Sequence, residues 1–246
     1  MTRHKNALII GGGSGMGRAT AEVLLQEGFS LHVADISIDA CQQWIKTLGP
    51  DRERARAFHV DISSSASVAA LFSELKGCCS QLDLMVHAAA ILGNTAFIED
   101  LHDDEWRQMM SVNLDGVFFC CREAVRWMKD FKSGRIVLFS SVASLTPTPG
   151  ALHYSVAKGG VNMLGKTLAK EVAQHNIQVN IVAPGYIETP MLDKMPEGFI
   201  NHILKQTPQG RLGTTTEIAA LVAFLASDEA GFFTGQVFSP NGGLVI

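Results

Sequence analysis

Short apolar runs alternate with longer helix-patterned stretches along the whole of this 246-residue chain, and that alternation limits the fold more than any other feature. Runs at Ala7–Ile10, Leu31–Ala34, Ala57–Val60, Leu82–His87, Arg135–Phe139, Gln178–Val182 and near Gln236–Phe238 read as strands. The stretches near 15–27, 38–47, 65–76, 104–129, 153–174 and 215–226 read as helices. Several strands are apolar at every position, as a strand must be when both its faces are buried in a parallel sheet. Repeated βα units with right-handed crossovers predict an α/β fold with a doubly wound, mostly parallel, seven-stranded sheet flanked by helices. No long linker, repeat or low-complexity tract interrupts the pattern, so residues 1–246 read as a single domain.

Bulk properties narrow the function classes. A hydrophobic content of 47% supplies a core and excludes a disordered chain. A formal net charge of −4 without a basic run gives nucleic acid no electrostatic footprint, and no apolar run reaches the length of a membrane span. The basic start at Met1–Lys5 is followed by an apolar stretch too short for a signal peptide. The cysteines Cys41, Cys78, Cys79, Cys120 and Cys121 are odd in number, contain no C-x-x-C and lack metal-ligand spacing. The expectation is reduced thiols, no metal and a cytoplasmic location.

Gly11-Gly12-Gly13-Ser14-Gly15-Met16-Gly17 joins the first strand to the first helix. Glycines there permit a tight turn and let backbone N–H groups approach a pyrophosphate at the helix N-terminus. Asp35 ends the second strand, where a carboxylate accepts from an adenosine ribose and repels a 2′-phosphate. No Arg or Lys follows it immediately, so the loop and the acid predict NAD rather than NADP. Asp61, at the end of the third strand, is a weaker candidate for the adenine side.

Tyr154 and Lys158 stand four residues apart on a predicted helix and so share a face. A phenol near pKa ~10 is a poor acid–base catalyst at neutral pH. A neighbouring ammonium stabilises the phenolate and is expected to lower that value. Ser141 lies at a strand end thirteen residues before the tyrosine, and Asn113 is a poor helix former placed in mid-helix with Gly116 close behind.

With the glycine pattern, Tyr154-x-x-x-Lys158, Ser141, Asn113 and Pro184-Gly185 in order, the chain resembles the classical short-chain dehydrogenase/reductases (SDRs) over its full length. That resemblance implies a Rossmann fold, a nicotinamide cofactor and a catalytic tetrad of Asn113, Ser141, Tyr154 and Lys158. It places Gly11, Gly13, Ser14, Gly15, Met16, Gly17, Asp35, Asp61, Ile62, Ala88, Tyr154, Lys158, Pro184, Gly185, Ile187 and Thr189 against the cofactor. Ser141, Ala143, His153, Tyr154, Tyr186 and Met191 fall on the substrate side. Tyr154 would move the proton, Lys158 would also hold the nicotinamide ribose, and Ser141 would orient the substrate oxygen. Asn113 would mark a helix break that exposes a carbonyl to a water chain feeding Lys158. The family also implies a homotetramer or dimer, and Gly159, Gly160 and Met163 form a smooth helix face suited to subunit packing.

Two stretches depart from the family pattern. Ile10 replaces a threonine before the first motif glycine, and His87-Ala88-Ala89-Ala90 replaces Asn-Asn-Ala-Gly. In the family that threonine and the second asparagine are expected to interact across strands. Losing one partner strands a buried polar group, whereas replacing both is nearly neutral, so cofactor binding is expected to persist.

The segment near 190–210 reads as a substrate lid, with Met191, Leu192, Met195, Phe199, Ile200, Ile203 and Leu204 on it. Ile91, Leu92, Val142, Leu145 and Tyr186 are expected to face the same cavity. The substrate is then a mainly apolar small-molecule secondary alcohol or ketone, such as a hydroxyacyl thioester, a cyclic alcohol or a steroid-like molecule. Lys194, Lys205 and Arg211 are scattered cations able to meet a carrier phosphate. The alternatives are an NADPH-dependent 3-oxoacyl-carrier reductase and, from another class, a catalytically weak binding or structural subunit.

Overall fold

A computed structural model describes residues 4–192 and 198–246. Lys194 and Met195 lie outside the described residues. Seven parallel strands form one sheet: β1 (Asn6–Ile10), β2 (Ser30–Asp35), β3 (Ala55–His59), β4 (Leu84–His87), β5 (Gly134–Phe139), β6 (Ile177–Val182) and β7 (Val237–Phe238). Their order across the sheet is β3-β2-β1-β4-β5-β6-β7. The order reverses between β1 and β4, and the crevice beyond the carboxyl ends of the strands at such a reversal is where open α/β sheets bind ligands.

The uniformly apolar strands are explained by where alternate residues go. On β1, Leu8 and Ile10 enter one core, while Ala7 and Ile9 enter the other. On β5, Ile136 and Leu138 divide from Val137 and Phe139 in the same way. Helices α1 (Gly15–Gln26), α2 (Ile38–Lys46) and α8 (Thr215–Ala226) contribute Leu24, Trp44 and Val222 to the second core. Helices α3 (Ser65–Cys78), α5 (Gly116–Phe131) and α6 (Leu152–Val172) contribute Leu71, Cys120 and Val161 to the first.

The sequence pattern missed two features. The stretch read as one helix over 104–129 is α4 (Asp103–Met110) and α5 joined through a π-helical turn at Ser111–Asp115. The lid carries its own helix, α7 (Phe199–Gln206), whose Ile203 is buried. No described helix is long and apolar enough to cross a membrane. Among the described residues no cysteine forms a disulfide; Cys41, Cys120 and Cys121 are buried and Cys78 is exposed.

Candidate active site

The glycine loop wraps the end of β1 by backbone contact. Gly11 has φ +82° and its amide donates to Ala34 O at 2.8 Å. A Cβ on Gly17 would stand 2.1 Å from the Gly11 carbonyl, so α1 can start this close to the strand only with glycine there. Ser14 caps α1 without a side-chain hydrogen bond, and the first turn holds no acidic residue. The helix N-terminus therefore keeps its partial positive charge for an anion, which fits a dinucleotide pyrophosphate. Asp35 accepts from Gly13 N at 2.9 Å through Oδ2 and from Ser37 N at 3.0 Å through Oδ1. These bonds hold its carboxylate beside the loop. Thr189 lies across the loop, with its methyl carbon 3.5 Å from where a Gly15 Cβ would be, so the 184–189 segment closes the same crevice.

Asp61 and Ile62 are placed less simply. Asp61 Oδ1 accepts from Ser63 N and Ser63 Oγ at 2.9 and 2.6 Å, which makes it the anchor of its own turn. The side chain of Ile62 is core.

Where the family pattern fails, the structure uses peptide groups. Ile10 O accepts from Ala88 N at 2.8 Å and from Ala89 N at 3.0 Å. Ile10 packs in one core and Ala88 against the other, so the side-chain interaction expected across these strands does not exist here. His87 ends β4 in register with Ile10 and Leu138. It is buried, and its Nε2 has no partner among the described residues. Burial, then the Lys158 charge, pushes its pKa down to about 3, so the ring is neutral at neutral pH.

Asn113 sits in the π turn, fully buried, and clasps the chain after β4. Its Nδ2 donates to Ile91 O at 2.7 Å and its Oδ1 accepts from Ile91 N at 2.9 Å. The π turn is the helix break expected at this residue. Lys158 Nζ donates to Phe139 O at 2.9 Å and lies 5.8 Å from the Tyr154 ring centroid. Burial draws the Lys158 pKa down to about 8.

Tyr154 departs from the expected depression. Burial raises its pKa, the Ser141 hydroxyl lowers it in part, and the Tyr186 phenol raises it again. In the protein alone, burial outweighs any help from Lys158, whose ammonium is engaged by the Phe139 carbonyl. The phenol is therefore protonated at neutral pH, ready to donate.

A cavity of about 240 Å³ opens above these groups. Ser141, Ala143, Tyr154, Tyr186 and Met191 line it, as do Leu92, Val142, Leu192 and Phe199. Met16, Pro184, Gly185, Ile187 and Thr189 join it to the glycine loop. Among the described residues its lining includes no charged side chain. Ile91 instead packs in the small apolar cluster around Tyr154, and Leu145 is an exposed residue. His153 is not part of the lining either. Its ring is buried behind Gly93, where a Cβ would meet Nε2 at 2.6 Å, and neither ring nitrogen has a partner among the described residues. One face expected to pack subunits is partly internal, because a Cβ on Gly160 would meet Leu114 of the π turn at 2.9 Å.

Sequence reasoning also missed several polar residues. Asn94 lines the cavity and donates to Glu105 Oε1 at 2.7 Å. Behind Ser141, the side chains of Ser140, Ser144 and Asn162 form a hydrogen-bonded knot. The available signals were the serine spacing of Ser140-Ser141-x-x-Ser144 and an asparagine beside the apolar stripe of α6. That stripe, Ala157, Val161, Leu164, Leu168 and Val172, packs against core.

This constellation defines an oxidoreductase fold and site, and comparison with known proteins agrees. The model of the family described as Enoyl-(Acyl carrier protein) reductase matches residues 11–245. The chain is 35% identical over 242 residues to the 3-oxoacyl-[acyl-carrier-protein] reductase FabG of Thermotoga maritima, covering 98% of each. It is 34% identical over 240 residues to the 2-dehydro-3-deoxy-L-rhamnonate dehydrogenase (NAD(+)) of a Sphingomonas species, covering 96% of this chain and 94% of that one. The crystal structure of gox2181 superposes with a TM-score of 0.95 at 28% identity, covering 99% of this chain and 96% of that one. The chain belongs to the short-chain dehydrogenase/reductase family. It is an oxidoreductase of hydroxyl and keto substrates.

Proposed function

We propose that this protein interconverts a mainly apolar secondary alcohol and its ketone using NAD(H). The observation that carries the reading is the cavity in which Ser141 and Tyr154 meet an uncharged, largely apolar wall beside the glycine loop. Ser141 Oγ donates to the substrate oxygen and fixes its orientation. Tyr154 gives that oxygen its proton during reduction and removes it during oxidation. Lys158, anchored on Phe139 O, holds positive charge near the phenol and binds the cofactor ribose. Asn113 keeps Ile91, and with it the Leu92–Thr95 wall of the cavity, in place. A bound nicotinamide supplies hydride exchange and, when oxidised, a positive charge that favours the phenolate.

The preference for NAD rests on Asp35 beside the loop and is supported by the relative whose name includes NAD(+). A reductase of carrier-linked 3-oxoacyl groups is the second reading, favoured by the relative of that name. Comparing kcat/KM for NADH and NADPH separates the two. A preference for NADPH would overturn the role given to Asp35. A panel of cyclic, acyl-thioester and steroid-like alcohols, assayed with NAD by turnover and thermal shift, then identifies the substrate class. Homo-oligomeric assembly in the cytoplasm completes the reading, with exposed Met163 and open Gly159 on α6 as the surface for a second copy.

A further inference from the structure

We infer that Ser144 and Asn162 are positioning residues, which set where Ser141 holds the substrate oxygen relative to Tyr154 and Lys158. The inference rests on the reading of Ser141 and Tyr154 given above. Asn162 lies one helical turn beyond Lys158 on α6 and is 8% exposed. Its Nδ2 donates to Ser144 Oγ at 2.8 Å, and Ser144 Oγ donates to Ser141 O at 2.5 Å. The direction is forced. A carbonyl only accepts, so the single hydroxyl proton of Ser144 goes to Ser141 O, and whatever else meets Ser144 Oγ must donate. Asn162 does so with its amide, and the Ser140 hydroxyl lies 3.0 Å from both Ser144 Oγ and Lys158 O, its one proton shared between them or given to one at a time. One knot of side chains therefore joins the backbone carbonyls of Ser141 and Lys158, two of the proposed catalytic residues.

The knot is costly in a way that packing alone does not explain. Asn162 Oδ1 is buried with no partner among the described residues, a penalty that an apolar residue at this place would avoid. The knot also acts on the part of the site where geometry matters most. Ser141 Oγ accepts from Ala143 N at 3.2 Å, within the turn that the knot fixes, and also meets the Tyr154 phenol. Ser141 and Tyr154 stand on different elements, the end of β5 and α6, so their separation depends on how that corner is tied.

The test is a cycle of Ser144→Ala, Asn162→Leu and the double variant. Each is measured for melting temperature, NADH binding by fluorescence titration, and kcat and KM with the best alcohol of the panel. Ser144→Ala strands the buried Asn162 amide and lowers the melting temperature, whereas Asn162→Leu takes one donor from Ser144 Oγ and removes the unpartnered Oδ1 with it, so it changes the melting temperature less. The double change removes both partners, and its melting temperature returns towards that of the wild type. If the knot positions Ser141, kcat falls about tenfold in all three variants, with NADH binding unchanged, and stays low in the double. Ser144→Thr keeps the hydroxyl and restores kcat. Recovery of kcat together with melting temperature in the double variant would show a purely structural knot and overturn the inference. Unaltered kcat in Ser144→Ala would overturn it equally. Absence of turnover by the wild type with every panel member would instead overturn the proposed function, and this inference with it.

Discussion

Two neighbouring corners of the sheet are tied by different means. Where β1 meets β4, peptide groups make the connection: Ile10 O takes both Ala88 N and Ala89 N, and the side chains of Ile10 and Ala88 only pack. Where β5 meets α6, side chains make it, through Ser140, Ser144, Asn162 and Lys158. The difference shows which departures from a family pattern a fold tolerates. A seam carried by the main chain keeps its hydrogen bonds when its side chains turn apolar. A seam carried by side chains depends on the residues that supply them, so replacing one takes a partner from another.

The largest expected effect lies on the side-chain-tied corner. Tyr154→Phe removes the proton carrier while leaving the fold, and steady-state assays should show kcat lower by about 10²–10⁴-fold with NADH binding intact. Unchanged turnover would reassign the general acid and leave a binding role as the better account of the chain. Asn113→Leu comes next. It leaves Ile91 N and Ile91 O without their side-chain partners, at about 1–3 kcal/mol for each group. Thermal unfolding should show the loss, and KM for the alcohol should rise because Leu92–Thr95 line the cavity.

Acid should act on the main-chain-tied seam through His87. Its folded pKa of about 3 lies below the ordinary 6.5, so between those values the unfolded chain binds the extra proton. Stability is full above pH 6.5 and is lost as pH falls below it, at up to about 1.4 kcal/mol per pH unit for such a group. His32, lowered to about 4 by burial and then by Arg56, adds a second contribution of the same sign. Replacing His87 with Asn should flatten the melting-temperature profile between pH 6.5 and 4, and an unchanged slope would show that the ring is not buried as described.

The smallest effect is the most direct check on the comparison. Ile10→Thr buries a hydroxyl at about 1–3 kcal/mol, and Ala88→Asn acts on the opposite core. Their effects on chemical denaturation should add to within about 0.5 kcal/mol. The Ser144 and Asn162 changes should not add. Coupling between Ile10 and Ala88 as large as that between Ser144 and Asn162 would erase the distinction.

Much of the fold was legible because strand burial and glycine chemistry are local signals. Runs apolar at every position announced strands buried on both faces, and the glycine loop announced a strand-to-helix turn that only glycines can make. Helix α7 was not, because its apolar residues sit in a lid whose pattern suits a loop over a cavity equally well. The site was legible as residue types at set spacings, but not as contacts. The sequence places His153 next to Tyr154, yet α6 turns its ring behind Gly93 and away from the cavity. The sequence did not show that Gly160 of the smooth helix face also admits Leu114.

The amino-acid order alone determined the parallel sheet, the phosphate-type loop, and a phenol and ammonium on one helical face, since all three depend on short-range periodicity and sterics. Only the tertiary structure decided how those groups behave. Burial raises the Tyr154 pKa although a lysine stands four residues away, because desolvation depends on everything packed around the phenol. Likewise, Ser144 and Asn162 are eighteen residues apart in the chain and become hydrogen-bond partners only when β5 and α6 meet.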